Sequence, residues 1–238
     1  MKKLLLSFLG AALFFSGSAF AQEQEVSTTA KEDYKWQVRL RGVGVIPHNR
    51  AEIGGIGGQI DVNNNFIPEL DFTYFFTKNI AAELILGTSR HTVGTLGSSL
   101  PEAVGGPATA NLDLGSVWLL PPTLMVQYHH QVTDNFKPYV GIGANYTIFY
   151  NEKSGVAKDI SYDNKFGWGY QFGFDIDVTD KFFINVDFKK LFLKTDVSVN
   201  ASNLLTPEAQ AAGTTELSIP AKVKIDPMLI GFGVGMRF

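Results

Sequence analysis

"GWGYQFGFDIDVTDKFFINVDFKK", residues Gly167 to Lys190, alternates along nearly its whole length. Trp168, Tyr170, Phe172, Phe174, Ile176 and Val178 take every second position, and Gly167, Gly169, Gln171, Gly173, Asp175 and Asp177 lie between them. After "TDK" the rhythm resumes, with Phe182, Ile184, Val186 and Phe188 set against Asn185, Asp187 and Lys189. A period of two is the strand signal. One face is large and apolar, the other small and charged. A soluble barrel or sandwich, the competing reading, would bury the large face and be left with glycines outside. In a membrane barrel the aromatic face looks at lipid, and the glycines make room inside a narrow lumen.

Working outward, eight segments share this pattern: Trp36–Pro47, Phe66–Thr77, Ile80–Arg90, Gly115–Val132 (interrupted by Pro121 and Pro122), Phe136–Asn151, Gly167–Val178, Phe182–Val199 and Lys222–Phe238. Three connections are tight: "TKN" (Thr77–Asn79), "TDN" (Thr133–Asn135) and "TDK" (Thr179–Lys181). Asp and Asn suit such turns because their side chains bond nearby backbone. Four are long, about His48–Asn65, His91–Leu114, Glu152–Lys165 and Asn200–Ala221, and their Gly, Asn, Ser and Pro content reads as loop. Within the last, Thr206 as N-cap, Pro207 at the first helical position and Gly213 as stop predict a short helix. Long and short connections alternating between eight strands predict an all-β, eight-stranded antiparallel transmembrane β-barrel with short periplasmic turns and four long extracellular loops. Trp36, Tyr74, Tyr128, Tyr139 and Trp168 lie near strand ends, where aromatic girdles belong.

Composition agrees. Charged residues make up 18%, below the usual ~25%. A net charge of −3 gives no nucleic-acid reading, and with no cysteine there is neither a disulfide nor a thiolate metal site. Lys2 and Lys3 precede an apolar run from Leu4 to Phe15, and Ala19-Phe20-Ala21 supplies an A-x-A cleavage site. The expected organisation is a signal peptide over residues 1–21, cleaved after Ala21, a flexible periplasmic segment over 22–35, and the barrel over 36–238.

The segments "WQVRLRGVGVIP", "LDFTYFFTKNIAAELI", "LLPPTLMVQYH", "KPYVGIGANYTIFY", the opening stretch and "KIDPMLIGFGVGMRF" together resemble the outer membrane protein W family of small eight-stranded barrels. The resemblance spans nearly the whole chain after residue 35. It implies a Gram-negative outer-membrane, porin-like protein with a narrow lumen, associated with passage of small hydrophobic molecules. One departure is "YHHQ" (Tyr128–Gln131), where the family pattern has an aromatic after the first His. The final Phe238 resembles the signature read by the barrel assembly machinery. That machinery, outer-membrane lipid, lipopolysaccharide and small hydrophobic ligands are the expected partners. Nucleic acid is not among them, and no cofactor is implied.

An eight-stranded barrel is just wide enough for side chains to fill it. By parity the inward set includes Arg39, Arg41, Lys189 and Arg237 with Glu69, Asp71, Glu83, Asp175, Asp177 and Asp187. Charges in a low-dielectric interior need partners, which predicts a salt-bridged polar plug. Toward the external end the inward candidates become apolar: Val43, Val45, Leu119, Pro121, Met125, Phe149, Leu191 and Leu193, with parity unsettled at Leu119–Met125 by the prolines. The expectation is that a small apolar compound enters from outside, meets the plug and leaves sideways into the membrane. Pro47, Pro68, Pro121 and Pro122 are candidates for a gap in the wall, since proline donates nothing to the ladder. The alternative is a packed anchor whose loops bind a surface, phage or host. Enzymatic chemistry is not expected. His91 has Ser89 nearby but no G-x-S-x-G setting, His129-His130 has no spaced metal partners, and "GGIGGQ" lacks the Lys and the strand-to-helix setting of a phosphate loop.

Overall fold

An unpaired strand edge cannot face hydrocarbon, so strands that cross lipid must each find two neighbours. The chain meets that condition with a cycle of pairings. The computed structural model describes residues 34–53, 57–99, 104, 105 and 110–238; the expected signal peptide and most of the polar segment after it lie outside the described residues. Its strands are β1 (Trp36–Ile46), β2 (Asn49–Ile53), β3 (Gln59–Val62), β4 (Asn65–Phe75), β5 (Ile80–Gly87), β6 (Ser89–Ser98), β7 (Ala110–Leu120), β8 (Thr123–His129), β9 (Phe136–Ser154), β10 (Asp159–Tyr162), β11 (Lys165–Asp177), β12 (Phe182–Asn200), β13 (Ser218–Ile225) and β14 (Met228–Arg237). Antiparallel pairing runs β1–β4–β5–β8–β9–β11–β12–β14 and returns to β1.

The four long connections are largely sheet rather than loop, which corrects the sequence expectation. β9 and β12 are 19 residues each, well beyond the ~9–11 a barrel strand needs to cross the hydrocarbon. The lower half of β12 pairs with β11 and β14, and its upper half with β10 and β13. β7 pairs with β6 and with the top of β9, while β2 and β3 pair with β13 and β6. A sheeted extension therefore rises from one end of the ring.

Proline divides two segments that the sequence reads as single strands. Gly115–Val132 is two strands, β7 and β8, broken at Pro121-Pro122, and Lys222–Phe238 is β13 and β14, broken at Asp226-Pro227. Proline removes a donor but keeps its carbonyl: Pro122 O accepts from Tyr146 N and Pro227 O from Leu191 N, both at 3.1 Å. The tight turns are fastened by threonine more than by Asp or Asn. The Thr77 hydroxyl accepts from the Asn79 and Ile80 amides at 3.2 and 2.9 Å, and the Thr179 hydroxyl from those of Lys181 and Phe182 at 3.3 and 3.0 Å. The short helix α1 (Pro207–Ala211) forms where its caps place it, with Thr206 Oγ1 accepting from Ala209 N at 3.2 Å.

Alternation sorts the ring's side chains. Leu40 is 58% exposed and Ile142 62%, whereas Arg39 and Arg41 are at most 1% exposed. Trp36, Tyr128 and Trp168 face outward as expected of girdle residues, but Tyr139 is buried inside. Its parity, opposite to outward Val140, outweighs its aromatic character. The inward glycines stand beside the longest side chains. Gly235 and Gly233 pair with Arg39 and Arg41, and a Cβ at either would meet the arginine Cγ at 2.8 Å.

Overpacking of this kind is destabilising, typically by ~1–3 kcal/mol, and here the arginine is held on its far side as well. Gly233→Val is expected to abolish the faster-migrating folded band on an unboiled denaturing gel. Gly44→Ala, whose Cβ would meet nothing nearer than 3.9 Å, is expected to keep it.

Candidate functional site

The lower lumen holds a charged cluster set by strand register. Arg39 stands opposite Asp71 and Arg41 opposite Glu69 across β1 and β4, and Thr73 stands opposite Glu83 across β4 and β5. Arg39 Nε donates to Asp71 Oδ1 at 2.7 Å, and its NH2 to Thr73 Oγ1 at 2.7 Å and Glu83 Oε1 at 2.6 Å. Arg41 NH2 lies 2.8 Å from Glu69, 2.7 Å from Asp71 and 3.0 Å from Glu83. Glu83 also accepts from Gln127 and Gln171, both at 2.7 Å. Lys189 bridges Glu69 at 2.9 Å and Asp187 at 2.5 Å, and Tyr139 donates to Asp187 at 2.8 Å. Asp175 accepts from Asn185 at 2.8 Å. Arg237 pairs with Asp177 at 2.6 Å, its guanidinium over the Phe183 ring.

Every charged residue expected on the inner face is thus brought to it. Neutral Gln171 and Asn185 join it from the face that the sequence reads as small and charged, and Gln127, His129 and Tyr139, not among the inward residues read from the sequence, join it by the same inward parity. His129 is buried, stacked on Tyr139 with ring centroids 4.8 Å apart, and bonded to Gln127 at 2.9 Å.

Above this cluster Val43, Val45, Ile85, Met125, Leu191 and Leu229 form an apolar layer. Above that opens a chamber with roughly 810 Å³ of empty space, part of it open to solvent. Of the expected apolar residues, Val45, Leu119, Pro121, Phe149, Leu191 and Leu193 line the chamber, while Val43 and Met125 lie in the layer below. Parity runs unbroken through the prolines, since Thr123 and Met125 are buried and Leu119 and Pro121 face the chamber. Pro47 lines it too. Pro68 is exposed on the outer face of β4.

The rest of the wall comes from the extension: Ile60 and Val62 of β3, Val93 of β6 and Tyr162 of β10 lie in stretches that the sequence reads as loop, and Val117 of β7 with Val223 and Ile225 of β13 in segments that it reads as strand. Alternation in "SRHTVGTL" and "SIPAKVKI" was the available signal. Ile60, Val93, Tyr162 and Val223 also border a second apolar cavity of roughly 690 Å³, reaching Leu204 and Leu217. The two cavities therefore share a wall.

Four polar side chains interrupt the chamber: Ser89, His91, Asn145 and Thr147. Burial pushes the His91 imidazole below its ordinary pKa, opposed by its bond to the Asn63 carbonyl. Ser89 and His91 are hydrogen-bonded, so the pair noted in the sequence is real. Among the described residues, no group of three or more His, Cys, Asp or Glu is placed to hold a metal ion.

The model of the OmpW family matches residues 33–238. An outer-membrane protein of Sinorhizobium fredii, y4mB, is 41% identical over 97% of this chain and 94% of its own length. Outer membrane protein W of Escherichia coli is 32% identical over the full length of both. The crystal structure of the outer membrane protein OprG from Pseudomonas aeruginosa superposes with a TM-score of 0.70 at 23% identity, covering 86% of this chain and 96% of that one.

Removing one partner from a buried ion network strands the other charges and typically costs ~3–5 kcal/mol. Glu83→Ala is therefore expected to lower the urea midpoint of the detergent-folded protein sharply, followed by tryptophan fluorescence. Asp196→Ala breaks only an exposed pair with Lys165 and is expected to leave the midpoint unchanged.

Proposed function

The chain belongs to the OmpW family of outer-membrane barrels, a family without enzymatic activity, and from that premise we propose how it acts. The eight paired strands cross the outer membrane, with the tight turns and the N-terminal segment on the periplasmic side and the sheeted extension outside. Residues 1–21 are the signal peptide, cleaved after Ala21. The barrel over residues 36–238 is inserted by the assembly machinery that reads Phe238, and it sits among outer-membrane lipid and lipopolysaccharide.

Small hydrophobic molecules enter the chamber from the external end. The observation that carries this reading is the apolar chamber lying directly above an ion-paired cluster. An aqueous porin needs a polar, water-filled lumen, and this lumen offers hydrocarbon above and bonded charge below. Arg39, Arg41, Glu69, Asp71, Glu83, Asp175, Asp177, Asp187, Lys189 and Arg237 act as the plug. An apolar solute gains nothing by entering it, since each displaced charge would lose its partner.

The way out is then through the wall. Between the pairs Ile85↔Thr123 and Ser89↔Leu119, the ladder carries no pairing opposite Pro121 and Pro122. Thr88 closes that step only by side-chain bonds to Leu119 O at 3.0 Å and Tyr150 at 2.7 Å. A molecule resting on Leu119 and Pro121 has this step beside it and lipid beyond.

Entry of a small apolar dye into cells tests the reading. Cells with the protein are expected to take the dye up faster than cells without it. Leu119→Asp combined with Leu193→Asp puts unpaired carboxylates in the chamber, and is expected to return uptake to the rate without the protein while the barrel still assembles. The chain has no cysteine, so a pair introduced at Thr88 and Leu120 is unique; its cross-linking is expected to slow uptake. Equal uptake in all strains would favour an anchor acting through its external surface, and unslowed uptake through the cross-linked barrel would exclude the sideways exit.

A further inference from the structure

We infer that the outer face of the extension carries a binding site for lipopolysaccharide, held by its phosphate groups on a row of cations across β12, β13 and β2. This deepens the proposed membrane setting and rests on the extension lying outside the cell.

Strand register sets the row. Lys194 stands opposite Lys224 across β12 and β13, and Lys224 opposite Arg50 across β13 and β2. Their chain neighbours Leu193, Thr195 and Val223 are buried, so the row lies on the outward face. Adjacent strands are ~4.8 Å apart, and like charges directly opposite one another destabilise a sheet. One step further from the ring the same three strands pair differently. Asp196 stands opposite Lys222, and Lys222 opposite Glu52. That upper row alternates in sign and neutralises itself, whereas the lower row has one sign throughout.

The lower row is also the one at the height of lipid headgroups. Lys194 follows Phe192 by two positions, and Phe192 stacks on Trp168 with ring centroids 4.4 Å apart. Trp168 is exposed on the outside of the ring, where aromatic residues mark the boundary of the hydrocarbon. Lys190, opposite Tyr170 and Met228, brings a fourth cation to the same sector. Asp226 is the carboxylate beside them, 3.1 Å from Lys224, and its main-chain carbonyl accepts from Lys190. Among the described residues Lys194 has no ion pair. Lysine stems lie along apolar surface and carry their ammonium groups into the polar layer. The excess positive charge there is complementary to phosphate. Three cations across two strand spacings, about 10 Å, can meet more than one phosphate, which favours a multiply phosphorylated glycolipid over a phospholipid with a single one.

The test is native mass spectrometry of the whole folded protein released from mixed micelles. The micelles hold equal amounts of lipid A, the anchor of lipopolysaccharide, with two phosphates and with none. The protein is expected to retain the phosphorylated form in preference. Lys194→Gln, alone and combined with Lys224→Gln, is expected to lower that preference about fivefold for each lysine removed. Lys222→Gln, in the self-neutralised row, is expected to leave it unchanged. The single variant breaks no ion pair and carries the test should the double one not assemble. Equal retention of both forms by the wild type, or a preference the same in every variant, overturns the inference. Retention of phosphatidylglycerol as strong as that of lipid A overturns the assignment to lipopolysaccharide. Glu208→Cys, exposed on α1 between β12 and β13 and unique in a chain without cysteine, tests the orientation separately. It is expected to react with a membrane-impermeant maleimide on intact cells. Labelling only after lysis overturns the orientation and this inference with it, whatever the micelles show.

Discussion

An ionised side chain facing lipid has no partner, whereas one facing the inside of this ring has several. The rest of the structure depends on that constraint. Arg39, Arg41 and Lys189 and their carboxylates occupy alternate positions on β1, β4, β5, β11 and β12. A slip of one residue in any of these strands would turn its charges outward, at ~2–4 kcal/mol for each Arg or Lys at the bilayer midplane. The register that places Arg39 opposite Asp71 and Arg41 opposite Glu69 thus keeps charge out of lipid and pairs it in one step. The glycines on β14 follow from the same packing, since two guanidinium stems fill the width of the ring there.

With the lower lumen filled by bonded charge, the upper lumen is free to differ. β9 and β12 continue past the ring and recruit β7, β10 and β13. The inward residues of these strands and of β6, from Val93 to Val223, enclose apolar space that eight membrane-length strands could not. The chamber is therefore a product of the extension, and its floor is a product of the ring. The polar residues at its side are the exceptions to both patterns.

Period-two alternation made the ring strands and the inward charges legible in the sequence, because lipid outside and a narrow lumen inside impose opposite chemistry on successive residues. It failed where another signal was given more weight. Tyr139 was placed in a girdle by residue type although its parity pointed inward. Most of the extension reads as loop because Gly, Asn, Ser and Pro are frequent there, yet Val93 and Ile219 keep the alternation. Val43 and Met125 were assigned to the apolar lumen correctly by face, but parity carries no information on depth, and they lie below the chamber. The polar side of the chamber is not legible, since His91 is held by the Asn63 carbonyl, a through-space contact that no spacing along the chain reveals.

The chamber is largely apolar and ends on an ion-paired cluster. The direct measurement is a crystal of the protein soaked with bromobenzene, with bromine located by its anomalous scattering. The account predicts bromine among Leu119, Phe149 and Leu193, and none at or below Arg39 and Arg41. Bromine within the charged cluster, or a chamber left empty while the same crystal takes the compound up elsewhere, would contradict it.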